Sequence, residues 1–199
     1  MKLITETLES NIEYITEAKN GKKNMYIEGI FMQSEMKNRN GRIYPKKIME
    51  NAVNKYVKEQ VQKGRAVGEL NHPDGPTINL HKLTHLITDL KWEGNNVIGK
   101  AKILNTPMGQ IAQGLMEGGV KLGVSSRGMG SVVNKNGVNT VGDDFMLSTV
   151  DIVQDPSAHE AFVEGIMEGA EWVYDAINKS WYKQEIAEQT VKNHKSGII

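Results

Sequence analysis

Short strand-like segments separated by glycine- and asparagine-containing turns constrain the fold of this chain most strongly. In the middle of the chain these segments outnumber the helical ones, and helices interrupt them at irregular intervals. A regular alternation of strand and helix would predict a doubly wound parallel sheet, and this sequence lacks it. The pattern therefore predicts an α+β fold, a barrel or sandwich accompanied by helices. Strands are predicted at Met25–Met32, Arg65–Leu70, Leu86–Trp92, Val97–Leu104, Val124–Val133 and Phe145–Val153.

Two central helices are predicted from apolar spacing and from the residues that flank them. Pro45 precedes an apolar stripe that ends near Gly64, and proline is tolerated in the first turn of a helix. Thr106-Pro107 opens the second helix, which Gly118-Gly119 closes. Gly94-Asn95-Asn96 lies between two strand patterns and predicts a hairpin.

The two ends of the chain differ in pattern from its centre. Residues 1–24 are polar and end in a loop-like stretch, so they are predicted to form a flexible leader. Residues 25–165 are predicted to form the main domain. Residues 166–199 are predicted to form a peripheral helical tail, because apolar anchors such as Trp172 and Trp181 recur at helical spacing.

Composition excludes several classes of function. Lys+Arg and Asp+Glu both number 24, so no global basic field exists to recruit nucleic acid, and the local cluster at Arg39, Arg42, Lys46 and Lys47 is interpreted as a solvated face. Cysteine is absent, which excludes thiol catalysis, disulfides and cysteine-ligated zinc. No apolar run has the length of a signal peptide or membrane span, so a soluble protein made in the cytoplasm is expected.

Two short segments carry residues suited to nucleophilic catalysis. Gly68–Pro73 places His72 at the end of a short apolar run, and Gly123–Gly128 places Ser125 and Ser126 beside an arginine. A serine becomes an effective nucleophile when an imidazole takes its proton and nearby donors stabilise the oxyanion. The pattern alone does not separate the two serines, which would point to opposite faces of one strand.

A carboxylate is needed to orient the histidine of such a site. Asp151 lies within the apolar strand pattern Thr149–Val153, and a buried carboxylate requires a partner, for which His72 is the obvious candidate. Glu69 is the next candidate.

A metal site is the rival interpretation of the histidines. His81 and His85 have the i,i+4 spacing of two ligands on a helix, with His72 and Asp74 available to complete a set. However, no glutamate follows His81 directly, and the segment continues into a strand pattern. We predict no metal.

Four stretches together resemble one family, the prohead core serine proteases of T-even-type tailed phages. Order and spacing match from about Met25 to Ala161. The resemblance implies a herpesvirus-protease-like β-barrel surrounded by helices, with residues 25–165 as the protease domain and no cofactor. The four stretches are Tyr26–Gln33, Asn38–Asn40 with Arg42–Lys46, Gly68–Pro73 and Gly123–Gly130.

The resemblance also assigns roles to residues. It implies Ser125 as the nucleophile and His72 as the base, which leaves Ser126 as a structural or oxyanion-side residue. Arg127 and Gly128 are interpreted from their residue types as the oxyanion region, since Gly128 lets the backbone turn and Arg127 can add charge. The alternative for Arg127 is a structural role, in which it caps a turn or pairs with a surface carboxylate. In the related herpesvirus enzymes the third residue is a histidine, so the assignment of Asp151 is an analogy.

The function implied is that of a serine endopeptidase which cleaves scaffold and capsid proteins after glutamate, in Leu/Ile-x-Glu sequences, during prohead maturation. Autoprocessing is expected, with Glu17 and Glu188 as candidate sites in the two terminal segments. A homodimer or higher homo-oligomer inside the assembling prohead, in the host cytoplasm, is expected, with no membrane or specific nucleic-acid partner. The alternative is a catalytically inactive structural component of the prohead scaffold.

Overall fold

A computed structural model describes residues 1–7, 13–19, 22–38, 40–154, 170–175 and 180–185. The strands are β1 (Lys2–Thr7), β2 (Glu13–Lys19), β3 (Lys22–Gln33), β4 (Arg42–Ile43), β5 (Val67–Glu69), β6 (Leu83–Glu93), β7 (Asn96–Ile103), β8 (Leu122–Gly130), β9 (Val132–Lys135), β10 (Val138–Val141), β11 (Met146–Gln154), β12 (Ala170–Asp175) and β13 (Ser180–Glu185). The helices are α1 (Lys46–Tyr56), which continues as a π-helical turn over Val57–Val61, a 3₁₀ turn at Leu80–Lys82, and α2 (Pro107–Glu117).

The strands form two five-stranded sheets and a smaller one. The first sheet has the order β11-β8-β1-β12-β13, the second β2-β3-β7-β6-β5, and the small sheet β4-β10-β9. An isolated parallel bridge between Leu70 and Ile152 links the two large sheets. This bridge lies directly beside His72 and Asp151, so the junction of the two sheets is also the place where the candidate residues meet.

Strands dominate and helices are few, which confirms the coarse prediction of a mixed fold. All six strand segments predicted from the sequence overlap observed strands. In the strand order of the described residues, however, neither large sheet closes into a barrel. The herpesvirus-protease-like barrel therefore stays a prediction.

The predicted helices and hairpin are confirmed. α1 follows Pro45 and buries the apolar stripe that its spacing predicted, and Gly64 ends this region with a φ of 65°. Thr106 caps α2, since its side chain accepts a hydrogen bond from the Gly109 N–H at 3.0 Å. β6 and β7 pair across the turn at Gly94, whose φ is 60°. None of the helices in the described part of the chain has the length and apolarity needed to cross a membrane.

The structure corrects the prediction for both termini. The supposed flexible leader contributes two strands: β1 lies inside the first sheet, between β8 and β12, and β2 pairs with β3 at the edge of the second. The described parts of the supposed helical tail, β12 and β13, form an antiparallel hairpin. Short segments with few apolar residues fit strand and helix periods almost equally well, and their sheet partners decide between them.

Candidate active site

Strand β8 places the two serines on opposite sides of the first sheet. Ser125 stands directly opposite Asp151 of β11, whereas Ser126 stands opposite Val150. Cross-strand partners share a face, so Ser125 and Asp151 face the same side and Ser126 faces the other. This arrangement separates two residues that the sequence pattern left equivalent.

A tight turn after β5 delivers His72 to the same side. Asn71 has a φ of 65°, a conformation that asparagine tolerates better than most residues. Its N–H donates a hydrogen bond of 2.7 Å to the carbonyl of Ile152, the neighbour of Asp151 in β11. The turn is thereby fixed to the strand that carries the carboxylate.

The three side chains form a continuous hydrogen-bonded chain. Ser125 Oγ lies 2.6 Å from His72 Nε2, and His72 Nδ1 lies 2.7 Å from Asp151 Oδ2. An ionised carboxylate can only accept hydrogen bonds, so the proton of the neutral imidazole belongs on Nδ1 and Nε2 is left to accept from the serine hydroxyl. This is the geometry of a Ser–His–Asp triad.

Asp151 is held in its charged form by its neighbours. Burial would by itself raise the pKa of Asp151, but the hydrogen bond from His72 and the charge of Arg127 outweigh it and lower the pKa. The carboxylate accepts further hydrogen bonds from the Glu69 N–H at 3.0 Å and from Arg127 Nε at 2.8 Å. A buried carboxylate with this many donors remains an anion near neutral pH.

Arg127 is completely buried, and all five of its N–H donors are engaged. Nε and one Nη2 hydrogen bind Asp151, and the second Nη2 hydrogen binds Glu69 at 3.0 Å. The two Nη1 hydrogens bind the carbonyls of Gly75 and Thr77 at 2.9 and 3.0 Å. The side chain therefore ties together β5, β11 and the loop after His72, and none of its donors is free for an oxyanion.

Glu69, the second candidate for the acid of the triad, binds elsewhere. Its carboxylate pairs with Arg127 and accepts hydrogen bonds from the backbone and side-chain amides of Asn79 at 3.3 and 3.0 Å. It is as deeply buried as Asp151, so burial alone did not distinguish the two acids. Of these two acids, the structure brings Asp151 to His72.

The backbone N–H groups of the predicted oxyanion region do not face Ser125 in this structure. β8 is hydrogen-bonded to β1 on one side and to β11 on the other, so the backbone N–H groups of Arg127 and Gly128 lie in the plane of the sheet. Gly128 faces the side of Ser126, where an added Cβ would lie 2.6 Å from the ring of Phe145. Close packing against Phe145 explains why position 128 is a glycine.

His85 is a supporting residue that sequence reasoning had considered only as a metal ligand. It is fully buried, and burial lowers its pKa, which favours the neutral ring. Nε2 lies 2.7 Å from the Val150 carbonyl, and because a carbonyl oxygen can only accept a hydrogen bond, Nε2 carries the proton and donates. Gly68 packs directly on this ring, and an added Cβ would lie 2.3 Å from Nε2. His85 thus spaces β5 from β11, the two segments that flank the triad.

His81 and His85 do not have the helical arrangement on which the metal interpretation depended. His81 lies on the 3₁₀ turn and His85 on β6, so the two histidines do not share a helical face. Among the described residues, no group of three or more histidine and acidic side chains is arranged to hold a metal ion.

The three side chains of the candidate triad are closed off from solvent. Ser125 and Asp151 have no exposed surface, and the side chain of His72 is 2% exposed. A peptide carbonyl cannot reach Ser125 Oγ until some part of the structure moves.

A mixed fold that brings a serine, a histidine and an aspartate into this hydrogen-bonded arrangement has the geometry found in Ser–His–Asp hydrolases. The model of the prohead core protein serine protease family matches residues 6–171, and the chain belongs to this family. The chain is 44% identical over 147 residues to the prohead core protein protease of Enterobacteria phage T4, covering 71% of this chain and 69% of that protein. Its structure is similar to that of the bacteriophage T4 capsid assembly protease, gp21, with a TM-score of 0.73 and 38% identity over 78% of this chain and 98% of that one.

Proposed function

We propose that this protein is a serine endopeptidase that cleaves scaffold and capsid proteins after glutamate during maturation of a phage prohead. The observation that carries the proposal is the hydrogen-bonded chain from Ser125 Oγ through His72 to Asp151, with links of 2.6 and 2.7 Å. The names of the T4 relatives, a prohead core protease and a capsid assembly protease, support the prohead as its place of action inside the host cell. No cofactor takes part in this chemistry.

In the proposed reaction Ser125 Oγ attacks the carbonyl carbon of the scissile bond while His72 Nε2 takes the hydroxyl proton. The imidazolium then gives that proton to the leaving amine, and water hydrolyses the acyl-enzyme by the reverse relay. Asp151 fixes the tautomer of His72 and stabilises its charged form. Arg127 acts through Asp151, whose carboxylate it holds with two hydrogen bonds.

The protein is further proposed to process itself and to assemble as a homo-oligomer in the prohead core. Glu17 remains a proposed self-cleavage site, although the surrounding segment is strand β2 rather than a loose leader. β2 is the edge strand of its sheet, so it can detach without opening the sheet further. Glu188, the other proposed site, lies outside the described residues.

The test is cleavage of a synthetic scaffold peptide that contains one Leu-x-Glu sequence. His72→Ala, Ser125→Ala and the double variant should each lose nearly all activity, and by similar factors, because the base and the nucleophile act as one unit. Product mapping by mass spectrometry should place the cut after glutamate. Near-wild-type cleavage by His72→Ala would overturn the assignment of the base.

The second candidate function is an inactive structural component of the prohead scaffold. The burial of Ser125 and His72 favours it, since an enzyme must admit its substrate. Absence of cleavage by the wild-type protein, at concentrations where it binds scaffold protein, would support this alternative.

A further inference from the structure

A groove lies between helix α1 and the first residues of strand β11, and we call it the α1–β11 groove. Its volume is about 410 Å³, within the range of roughly 300–1,000 Å³ that is typical of ligand sites. One wall consists of residues of α1 and its π-helical turn, and the other is the stretch Asp143–Ser148. Neither wall contains Ser125, His72 or Asp151, so the groove is separate from the candidate triad.

The outer edge of β11 is covered at one end and open at the other. β11 is the last strand of its sheet, with β8 on its inner side. On the outer side, the Val150 carbonyl accepts a hydrogen bond from His85 Nε2 at 2.7 Å. The Ile152 carbonyl accepts one from the Asn71 N–H, also at 2.7 Å. At Met146–Ser148, in contrast, no described residue outside β8 hydrogen-bonds to the backbone, and an open strand edge is a template for an extended peptide.

The floor of the groove is apolar. Ala52, Tyr56 and Phe145 line it and are buried, while Met146 at the opening is 36% exposed. Successive side chains of an extended peptide point to opposite sides, so every second residue of a bound strand can place an apolar side chain in the groove.

The charged side chains of the groove are mainly negative. Three carboxylates line it, against the single ammonium group of Lys55; they belong to Glu59, Asp143 and Asp144. Asp144 already accepts hydrogen bonds from the N–H and hydroxyl of Ser131. Glu59 and Asp143 are exposed and pair with no described residue. This charge distribution attracts a basic peptide and repels an acidic one.

We propose that the α1–β11 groove binds an extended, basic segment of a substrate protein, which adds to Met146–Ser148 as a short edge strand. The backbone of the segment pairs with the open edge, apolar side chains enter beside Tyr56, and a lysine or arginine pairs with Asp143 or Glu59. The inference rests on the proposed function for the identity of the partner, a scaffold or capsid protein. The existence of the site does not depend on catalysis.

The groove and the triad are close enough to hold one substrate together. Ser148 and Asp151 are three residues apart in β11, which at about 3.3 Å per residue is roughly 10 Å. A linker of about five residues spans up to roughly 17 Å and can therefore join a docked segment to a scissile bond. Docking raises the local concentration of that bond, so the groove favours proteins that carry both a basic strand and a Leu/Ile-x-Glu sequence.

Peptide binding to the Ser125→Ala protein tests the site without catalysis. The probe is a fluorescent peptide, Gly-Val-Lys-Val-Lys-Val-Gly, and the matched peptide has glutamate in place of each lysine. Fluorescence anisotropy should show at least ~10-fold tighter binding of the lysine peptide. Asp143→Asn with Glu59→Gln should remove most of this preference. The control of equal net charge, Glu93→Gln with Glu117→Gln, changes two exposed carboxylates outside the groove and should keep it.

Methylation of alternate backbone nitrogens in the probe distinguishes strand pairing from charge attraction alone. Alternate N–H groups of a strand point to opposite sides, so only one of the two methylation patterns blocks the amides that face β11. One methylated peptide should therefore bind at least ~10-fold more weakly than the other. Equal binding of the two would overturn the strand pairing. Equal binding of the lysine and glutamate peptides, or an unchanged preference in the groove variant, would overturn the site.

Cleavage of two longer peptides tests the link to catalysis. Both contain one Leu-x-Glu sequence, and only one carries the basic strand after a five-residue linker. The wild-type protein should cut the extended peptide with at least ~10-fold higher kcat/KM, and the groove variant should cut both equally. Equal kcat/KM on the wild type would overturn the role in substrate selection.

Two further outcomes separate the rival explanations. If neither longer peptide is cut while the lysine peptide still binds the Ser125→Ala protein, the proposed function is refuted and the peptide site is supported. If the groove variant loses self-association in analytical ultracentrifugation and the wild type binds no peptide, the groove holds a second copy of the chain and the proposal is overturned.

Discussion

The two faces of strand β8 are both buried, but one faces a polar, charged network and the other faces the apolar core. On one face, Ser125 and Arg127 belong to a network of hydrogen bonds and charges that includes His72 and Asp151. On the other, Gly128 packs against Phe145, and Ser126 lies near the aromatic and aliphatic side chains of the core, among them Phe31, Tyr44 and Met49.

This difference shows that burial by itself does not mark a functional serine. Both serines are almost completely inaccessible, and they are neighbours in sequence. What distinguishes Ser125 is that its hydroxyl is hydrogen-bonded to a histidine whose second nitrogen meets an anion. Buried polar groups stabilise a structure only when they are satisfied, and on this face the satisfied network is also the proposed catalytic one.

The largest expected effect comes from changing each serine in turn. Ser125→Ala should lower kcat/KM for a scaffold peptide at least ~10⁴-fold, because the nucleophile is removed. Ser126→Ala should stay within about 10-fold of wild type, since its side chain faces the core. Steady-state kinetics on the two purified variants measure both. A larger loss of kcat/KM in Ser126→Ala than in Ser125→Ala would assign the nucleophile to the other face of β8.

Asp151→Asn should be next in size. An amide at this position favours the wrong tautomer of His72, which in a Ser–His–Asp triad reduces kcat by about 10⁴-fold. The matched variant Glu69→Gln should reduce kcat much less, because Glu69 contacts Arg127 and not His72. Kinetics with circular dichroism as a folding control separate the two acids. Equal losses would mean that the network as a whole, rather than Asp151, orients the imidazole.

Arg127→Met should act on stability as well as on turnover. It leaves two buried carboxylates without their cation, and breaking a buried ion pair in this way costs about 3–5 kcal/mol. Arg127→Lys keeps the charge but cannot form five hydrogen bonds in a plane, so it should recover only part of the loss. Urea denaturation measures the free energy of unfolding of both. Full stability in Arg127→Met would show that the polar face is not held together by this side chain.

A smaller effect is expected on the packed face. Gly128→Ala places a methyl group against Phe145 and the Met146 carbonyl, and overpacking of this kind costs about 1–3 kcal/mol. Gly114→Ala in α2 is the matched control, because nothing lies within 4 Å of the added Cβ and alanine favours the helix. Thermal unfolding should therefore shift down for Gly128→Ala and slightly up for Gly114→Ala.

The smallest predicted effect is a pH dependence of stability due to His85. Burial lowers the pKa of His85 from its usual 6.5, so below that pH the unfolded chain binds a proton that the folded chain does not. The free energy of unfolding should therefore fall as the pH drops below 6.5, by at most about 1.4 kcal/mol per pH unit. Urea titrations of wild type and His85→Gln between pH 7 and 5 compare the slopes. Identical slopes would mean that His85 does not cause the pH dependence of stability.

The lowered pKa of Asp151 acts in a separate, more acidic window. Its contribution to stability is present above the unfolded value of 3.8 and is lost as the pH falls below it towards the folded pKa. The two groups can therefore be distinguished by the pH at which each loss begins.

The sequence by itself determined the elements whose signals are local. The proline and threonine at the starts of α1 and α2, the glycine turn between β6 and β7, and the apolar spacing of each segment lie within a few residues of what they specify. The four motifs also identified the family, because the order and spacing of residues along a chain do not depend on how that chain is folded.

Only the tertiary structure decided which residues meet. Asp151 and Glu69 are equivalent as buried acids, and a contact between residues 79 positions apart in sequence selects Asp151 for His72. The sequence left Arg127 either as an oxyanion donor or as the structural partner of a carboxylate, and partners from three distant segments use all its donors. The terminal segments became strands because sheet edges elsewhere in the chain accepted them. Hydrogen-bond partners of a buried polar group or an unpaired strand are supplied by the folded chain, and a local pattern does not specify them.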